Sequence, residues 1–171
     1  AWYSRHARDL PWRRSANPYQ ILVSEIMLQQ TQVSRVTEKY LQFISAFPTI
    51  QALADASVSD VIRIWSGLGY NNRAVRLHKL ATAIVDLNNG QLPESADQLK
   101  ELPGIGSYTA AAISCFAFGA HHAVLDTNIY RVLSRLVHGV TPPPRGELAP
   151  LATALLPPKG ADLTASHWNQ A

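Results

Sequence analysis

Apolar side chains follow a helical period along almost the whole chain. Between Pro18 and Val36 they recur three or four positions apart, which predicts one long helix that is broken at Phe47-Pro48-Thr49. No pair of alternating apolar and polar runs indicates a β-hairpin. The sequence therefore predicts an all-α fold, with further helices at residues 50–54, 58–65, 73–87, 96–102, 107–118, 126–138 and 147–156.

Polar residues mark where several of these helices begin. Thr49, Ser57 and Ser95 each stand directly before a predicted helix, where a side-chain oxygen can accept a hydrogen bond from a free backbone N–H. Asp60, three residues after Ser57, completes a pattern like a capping box. The proline-rich stretch 141–144 predicts a stiff connector before the last helix.

Composition narrows the class of protein only slightly. The chain has 171 residues, of which 47% are hydrophobic and 16% charged, and its net charge is +3. Such values are typical of a globular protein with one domain or two shared lobes, and the charge is compatible with a polyanionic partner without establishing one. Cys115 is the only cysteine, which excludes a disulfide or a cysteine metal site within the chain. No apolar run is long enough for a membrane span, and the two ends lead us to expect a fragment.

A glycine hairpin is the first candidate for binding chemistry. Its sequence is Leu102-Pro-Gly-Ile-Gly-Ser-Tyr-Thr-Ala110, in which Pro103 ends one helix and the two glycines allow a tight reversal. The next helix then starts with free N–H groups at residues 107–109, where a phosphate can bind. The alternative is a plain turn between two helices.

Glu25 is the first candidate for catalysis. Its neighbours one helical turn away are Ile21, Leu22 and Leu28, so the carboxyl group is expected to lie against apolar surface. Desolvation there would raise the pKa of Glu25 and keep it protonated, as a general acid requires. The alternative is an exposed glutamate at the edge of the apolar stripe.

Asp126 is the second carboxylate, and its predicted environment is the opposite. At the start of a helix it accepts backbone hydrogen bonds and lies at the positive end of the helix dipole, which keeps it ionised. The alternative is a purely structural cap. One protonated and one ionised carboxyl group is the pair that divides acid and anion roles in glycosidic cleavage.

Histidines offer no competing chemistry. His78, His121 and His122 lack partners at metal-ligand spacing, so none is interpreted as a ligand. The chain also has no His-x-Glu with a paired cysteine motif, which argues against a zinc deaminase.

These motifs resemble the helix–hairpin–helix DNA glycosylases, and within them the MutY-type adenine DNA glycosylases. The resemblance implies an all-α helix–hairpin–helix glycosylase fold. It would have a six-helix barrel lobe at 15–117, a second helical lobe from 1–14 and 118–171, and the active site between them. The segments that carry it are Leu10-Pro-Trp-Arg13, residues 24–33, Gly67-Leu-Gly-Tyr70, residues 102–110, Leu125-Asp-Thr-Asn128 and Trp168-Asn-Gln-Ala171.

The resemblance implies an enzyme that flips adenosine out of a duplex and removes adenine mispaired with guanine or 8-oxoguanine. Glu25 would protonate a purine ring nitrogen, and Asp126 would stabilise the cationic sugar. Tyr108 and Asn128 would line the same site. Bifunctional relatives such as endonuclease III have a nucleophilic lysine at the position of Tyr108, so we expect a monofunctional glycosylase.

Further residues match positions that bind the base or the DNA. Trp12, Arg13 and Gln170 match the surroundings of the adenine pocket, and Gln30 and Tyr70 match residues that insert into the base stack. The hairpin residues Gly104, Ile105, Gly106, Ser107 and Thr109 would hold the DNA backbone.

Two alternatives remain open from the sequence. Residues 108–119 are also close to mismatch thymine glycosylases, so a thymine or uracil mismatch glycosylase is one alternative, although Gln29-Gln30-Thr31 and Asn169-Gln170 favour adenine. Asn71-Asn72 departs from the tyrosine and small residue common after Gly-Leu-Gly-Tyr. A non-catalytic helix–hairpin–helix module is the other alternative, but such a binder would need neither Glu25 nor Asp126.

The resemblance also implies a cofactor and partners. A 4Fe–4S cluster is expected in the full-length protein, held by cysteines beyond Ala171. The partner is expected to be double-stranded DNA with a mispaired or oxidised base, bound by a monomer in the bacterial nucleoid or a nucleus, and no membrane partner is expected.

Overall fold

The computed structural model describes residues 2–139, 143–161 and 163–170, and all regular structure within them is helical. The predicted all-α fold is therefore confirmed. Of the connector predicted at 141–144, residues 141 and 142 lie outside the described residues. The helices are α1 (Trp2–His6), a 3-10 turn at Pro11–Arg14, α2 (Pro18–Leu28), α3 (Val33–Ala46), α4 (Ile50–Ala54), α5 (Val58–Trp65), α6 (Asn72–Asn88), α7 (Ala96–Glu101), α8 (Ser107–Phe118), α9 (Thr127–His138), α10 (Arg145–Ala154) and α11 (Ala165–Gln170).

Helix α2 lies at the centre of the larger hydrophobic core. It is apolar on nearly every side, so it is buried almost throughout and packs against α3, α6 and α8. Around it, Phe43 packs edge to face on Trp65 with ring centroids 5.9 Å apart. This core places Glu25, which belongs to α2, inside the molecule.

A second, smaller cluster of buried residues lies on the other side of α8. Ala110 and Ile113 of α8 contact the larger core, whereas Ala112 and Cys115 pack with Val124, Leu156 and Ala165. Helix α8 therefore contributes to both clusters. The division into lobes at 15–117 and at the two chain ends stays a prediction.

The long helix predicted from Pro18 to Phe47 is wrong in one place. Residues 29–32 interrupt it, and Gln30 has a positive φ of 54° that no α-helix contains. The carbonyl groups of Ile26, Met27 and Gln29 bind the guanidinium of Arg73 from α6. A tertiary contact therefore overrides the local helical pattern.

The predicted helix caps are confirmed. Thr49 and Ser57 accept hydrogen bonds from backbone N–H groups three residues on, both at 3.1 Å, and Ser95 accepts one from Asp97 at 3.3 Å.

The last predicted helix is shifted, running from Arg145 to Ala154 rather than over 147–156. Three short segments of four to six residues (α1, the 3-10 turn and α11) are not predicted because they show too few turns for a period. None of the described helices is long and apolar enough to cross a membrane.

Candidate active site

A cavity of about 440 Å³ opens between the 3-10 turn, α2, α8 and α11. The structure brings five of the predicted site residues to its wall, from four separate segments of the chain. They are Trp12, Arg13, Glu25, Tyr108 and Gln170. The roles assigned to them stay predictions, but their convergence on one cavity is observed.

Glu25 forms a buried wall of this cavity and is only 8% exposed. Burial raises its pKa to about 7, a hydrogen bond from Tyr108 opposes the shift, and the negative charge of Asp126 adds to it. The predicted burial of Glu25 and the predicted direction of its pKa shift are therefore confirmed. A carboxyl group with such a pKa is protonated in a large fraction of molecules at neutral pH.

Tyr108 lies in the first turn of α8 and hydrogen-bonds to the Glu25 carboxyl group. Burial, together with the adjacent charges of Glu25 and Asp126, raises the pKa of Tyr108 well above its ordinary value. The side chain therefore stays a neutral phenol that can donate a hydrogen bond to Glu25.

Asp126 caps α9, as predicted. Its Oδ1 accepts a hydrogen bond from the backbone N–H of Ile129 at 2.7 Å, and its Oδ2 accepts one from Asn128 Nδ2 at 3.2 Å. Asp126 is half-buried and Asn128 is exposed, and neither belongs to the cavity wall. Asp126 still acts on the site, because its charge raises the pKa of both Glu25 and Tyr108.

The two ends of the described chain meet at the cavity. Arg13 Nη2 donates to the backbone carbonyl of Gln170 at 3.2 Å, and the Tyr3 hydroxyl donates to Gln170 Oε1 at 2.8 Å. Trp12 is buried and its ring packs edge to face on Tyr40, with centroids 5.4 Å apart. These contacts join α1 and the 3-10 turn to α11, which sequence periodicity gave no means to predict.

Asn169, which the sequence indicates only as favouring adenine, also has a structural role in the site. Its Nδ2 donates to the carbonyl of His122 at 2.8 Å, and its Oδ1 accepts from the N–H of Val124 at 3.0 Å. It thereby ties α11 to the segment that leads into Asp126. Its place beside Gln170 in the segment Trp168-Asn-Gln-Ala171 does not indicate this contact.

The glycine hairpin has the predicted form. Gly104 has a φ of 83°, a conformation that favours glycine, and Gly106 precedes α8 without a capping side chain. No side chain therefore caps the N–H groups in the first turn of α8, which begins at Ser107. Free N–H groups at a helix start are suited to binding an anion. The side chains of Ile105 and Thr109 are buried, so these two residues can present only backbone groups to DNA.

Gln30 and Tyr70, the predicted stack-inserting pair, are both exposed, and Tyr70 is 63% exposed. Each has a positive φ, 54° for Gln30 and 48° for Tyr70. Large side chains rarely adopt this conformation, so the surrounding structure must impose it on both turns.

A metal or iron–sulfur cluster does not fit the described residues. No group of three histidine, cysteine or acidic side chains among them is arranged to hold a metal ion. Cys115 is buried, and its thiol contacts Asn169 Nδ2 at 3.4 Å. A cluster bound by four thiolates cannot be assembled from this one cysteine.

Comparison with known proteins gives the site a context. The chain is 50% identical over 140 residues to the adenine DNA glycosylase of Mycobacterium tuberculosis (strain CDC 1551 / Oshkosh), covering 81% of this chain and 46% of the relative. It is 46% identical over 173 residues to the adenine DNA glycosylase of Mycolicibacterium smegmatis, covering 100% of this chain and 58% of the relative. The chain thus spans about half the length of these curated relatives.

Structural similarity and a family match agree with the sequence relatives. A thermostable thymine-DNA glycosylase superposes with a TM-score of 0.89 at 29% identity, covering 99% of this chain and 78% of that one. The family described as HhH-GPD superfamily base excision DNA repair protein matches residues 23–157, most of the chain. The chain therefore belongs to the HhH-GPD superfamily of base excision DNA repair proteins.

Proposed function

We propose that the protein containing this chain is a monofunctional DNA glycosylase that removes adenine mispaired with guanine or 8-oxoguanine. One observation carries the proposal: Glu25, with a pKa of about 7, forms a buried wall of a cavity, and the negative charge of a second carboxylate, Asp126, acts on it. Paired carboxyl groups in opposite environments are the arrangement that glycosidic cleavage uses.

The acid step belongs to Glu25. Its protonated carboxyl group gives its proton to a ring nitrogen of the flipped adenine, and the base leaves with the electron pair of the glycosidic bond. Because the base leaves neutral, the barrier falls, and a positioned acid contributes about 10²–10⁴ in rate. Tyr108 holds the Glu25 carboxyl group in place through its hydrogen bond.

The sugar cation left behind is stabilised by Asp126. Its carboxylate is fixed by Ile129 N–H and Asn128 Nδ2, so the negative charge is already oriented when positive charge develops on the sugar. Water then adds to the sugar carbon and its proton passes to the Glu25 carboxylate, which restores the acid and completes the hydrolysis.

DNA binding is assigned to the hairpin and to the cavity. The uncapped start of α8 binds a backbone phosphate, and a cavity of about 440 Å³ is large enough for an extruded purine. A mispaired base costs less to extrude than a paired one, which favours mispairs as substrates. Because this chain carries both Glu25 and Asp126, the proposed chemistry needs no second copy of it.

The side chains available support release by hydrolysis without strand cleavage. A lyase of this kind needs an amine nucleophile in the site, and the described residues lining the cavity include no lysine. Tyr108 stands at the position where bifunctional relatives have that lysine. A 4Fe–4S cluster in the full-length protein would have to be held by cysteines outside this chain.

Thymine is the competing substrate, since the thymine-DNA glycosylase covers 99% of this chain at a TM-score of 0.89. Adenine is favoured because the sequence relatives at 46–50% identity are adenine DNA glycosylases. The test is base release by the full-length protein from duplexes carrying A:8-oxoguanine, A:G, T:G and U:G, at stated salt. Free adenine from the first two duplexes is expected. Release of thymine or uracil instead would overturn the assignment, and a borohydride-trapped adduct in high yield would overturn the monofunctional mechanism.

A further inference from the structure

Two exposed turns of the molecule share an unusual backbone conformation. They are the turn at residues 29–32, which carries Gln30, and the turn at 66–71, which carries Tyr70. Among the described residues, the third non-glycine residue with a positive φ is Asn89, which ends helix α6 in an ordinary way for asparagine. Gln30 lies in a tight turn just after α2, which the N–H of Thr31 closes by donating to the carbonyl of Leu28 at 3.3 Å, and Tyr70 lies two residues before the start of α6. Such positive-φ turn positions favour glycine or asparagine over glutamine or tyrosine.

Both turns are bound by the same side chain, Arg73 of α6. On the first turn, Arg73 Nη1 donates to the carbonyl of Gln29 at 2.5 Å, and Nη2 donates to Thr31 Oγ1 at 2.9 Å. These two contacts lie on either side of Gln30. They fix the backbone on both flanks of the strained residue.

The second turn is held from the same guanidinium. Nη2 of Arg73 donates to the carbonyl of Gly69 at 3.1 Å and to that of Leu68 at 3.4 Å. The guanidinium carbon also lies 5.6 Å from the ring centroid of Tyr70 and 5.3 Å from that of Trp65. One planar group therefore contacts the backbone of both turns and the aromatic ring of Tyr70 itself.

Arg73 is buried at 6% exposure without a counter-charge. None of the salt bridges found in the described part of the chain involves it, and its Nε has no hydrogen-bond partner there. A buried charge held only by neutral acceptors gives little net stability compared with an apolar side chain. What the guanidinium provides is geometry, because its planar fork joins acceptors that an alkyl chain cannot join.

We propose that Arg73 is a positioning residue that fixes the spacing and orientation of Gln30 and Tyr70 for entry into the DNA base stack. The inference rests on the proposed function and on the expectation from the sequence that this pair inserts into the base stack. Arg73 itself does not touch DNA in this role. Its effect passes through the two turns that it holds together.

The test uses the full-length protein and a duplex with 2-aminopurine next to an adenine mispaired with 8-oxoguanine. Fluorescence of 2-aminopurine reports opening of the stack, and single-turnover release of adenine reports chemistry. Arg73→Lys keeps the charge but loses the fork, and Arg63→Lys, on an exposed arginine paired with Asp60, is the matched control. We expect Arg73→Lys to reduce the fluorescence rise and to slow release about tenfold, within the range for side chains in contact. A response equal to that of the Arg63→Lys control would overturn the inference.

The double variant Gln30→Ala/Tyr70→Ala, used as a background, separates a positioning role of Arg73 from an effect of Arg73 on overall stability. In the Gln30→Ala/Tyr70→Ala variant, adding Arg73→Lys should change stack opening and release less than about twofold, because the residues through which Arg73 acts are gone. A further tenfold loss in that background would show a merely structural role and overturn the proposal. Thr31→Val removes one acceptor and leaves Arg73 intact, so it serves if Arg73→Lys does not fold. It should slow release in the parent but not in the double background, and equal slowing in both would contradict the inference.

The fluorescence signal keeps the two proposals apart. A parent protein that opens the stack without releasing any base contradicts the glycosylase proposal, yet its fluorescence still tests Arg73. A parent that releases adenine while Arg73→Lys leaves both signals unchanged overturns the inference on Arg73 alone.

Discussion

Glu25 and Arg73 are the charged side chains that lie buried in the described part of the chain, and burial affects their charge states differently. Glu25 faces a cavity, and burial shifts its pKa to about 7, so it can exist without its charge. Arg73 keeps its charge, because a guanidinium does not lose its proton in proteins. Its Nη groups are surrounded by carbonyl oxygens and Thr31 Oγ1 instead.

The difference teaches what each burial is suited to do. A carboxyl group that can give up its charge holds a proton that is available for transfer, so its burial produces reactivity. A guanidinium that cannot give up its charge must fix every acceptor around it, so its burial produces rigidity. The first suits the chemical step, and the second suits the shape of the surface that approaches the partner.

The strongest way to break this comparison is to remove the proton donor. Glu25→Gln keeps the size of the side chain and can still accept from Tyr108, but it has no acidic proton. Single-turnover base release should fall about 10²–10⁴-fold, while the Kd for mispaired duplex changes little. Release rates from radiolabelled duplex and binding by fluorescence anisotropy check the two halves of the prediction.

Glu38→Gln is the matched control, since Glu38 lies on the exposed face of α3. It should leave both release and binding near the parent values. Release by Glu25→Gln at the rate of this control would show that Glu25 is a structural residue and not the acid.

Sequence reasoning identified Glu25 but not Arg73, and the reason is physical. The neighbours of Glu25 at helical spacing are apolar, so its burial can be predicted from one helix alone. Arg73 binds Ile26, Met27 and Gln29, which lie more than forty positions away, and it breaks the helix that the local pattern predicts there. A contact between distant segments leaves no periodic signal in either of them.

The same distinction holds elsewhere in the molecule. Caps such as Thr49 and Ser57 involve partners three residues away, so their local sequence predicts them. The contact of Asn169 with Val124 joins distant segments, and only the folded chain shows it. The resemblance supplied the identity of Gln170 and Trp12 as pocket residues, whereas their contacts came from the structure.

Asp126 sharpens the comparison, because it is a carboxylate that the fold keeps accessible. Asp126→Asn keeps a side chain that caps α9 but removes the charge beside Glu25. Base release should fall about 10²-fold, since the sugar cation loses its stabilising anion. The alkaline limb of the pH–rate profile should also move to lower pH, because the charge of Asp126 raises the pKa of Glu25.

These two readouts answer different questions about Asp126. A large loss of rate with no movement of the pH limb would separate the sugar role from the electrostatic coupling. An unchanged rate across the whole pH range would leave Asp126 as a helix cap and contradict its catalytic role. Rates are measured under single-turnover conditions, so product release does not mask the limb.

Burial of Glu25 should make the free energy of unfolding depend on pH. The pKa of Glu25 in the folded protein is about 7, against an ordinary value of 4.5. Between these values, rising pH deprotonates the unfolded chain first, so stability falls with pH through this window and the loss is complete above pH 7. Glu25→Gln removes that loss, so its advantage over the parent in unfolding free energy should be about 3 kcal/mol larger at pH 8 than at pH 4.5.

Urea unfolding at the two pH values measures this difference, and Glu38→Gln shows what losing a solvated carboxylate does by itself. A pH-independent difference between Glu25→Gln and the parent would mean that Glu25 is not desolvated in solution. Arg73 provides the contrast, because it keeps its charge throughout this window and its replacement should give no comparable dependence on pH.

The smallest expected effect concerns Tyr108, and its sign is what makes it useful. The Tyr108 hydroxyl lowers the pKa of Glu25 by donating a hydrogen bond to the carboxyl group, whereas Asp126 raises it. Tyr108→Phe should therefore move the alkaline limb of the pH–rate profile to higher pH, the opposite direction from Asp126→Asn. At neutral pH the rate should change less than about tenfold, as one hydrogen bond is lost while the ring still fills its place. If the alkaline limb moved in the same direction in Tyr108→Phe and in Asp126→Asn, Glu25 would not be the group that titrates.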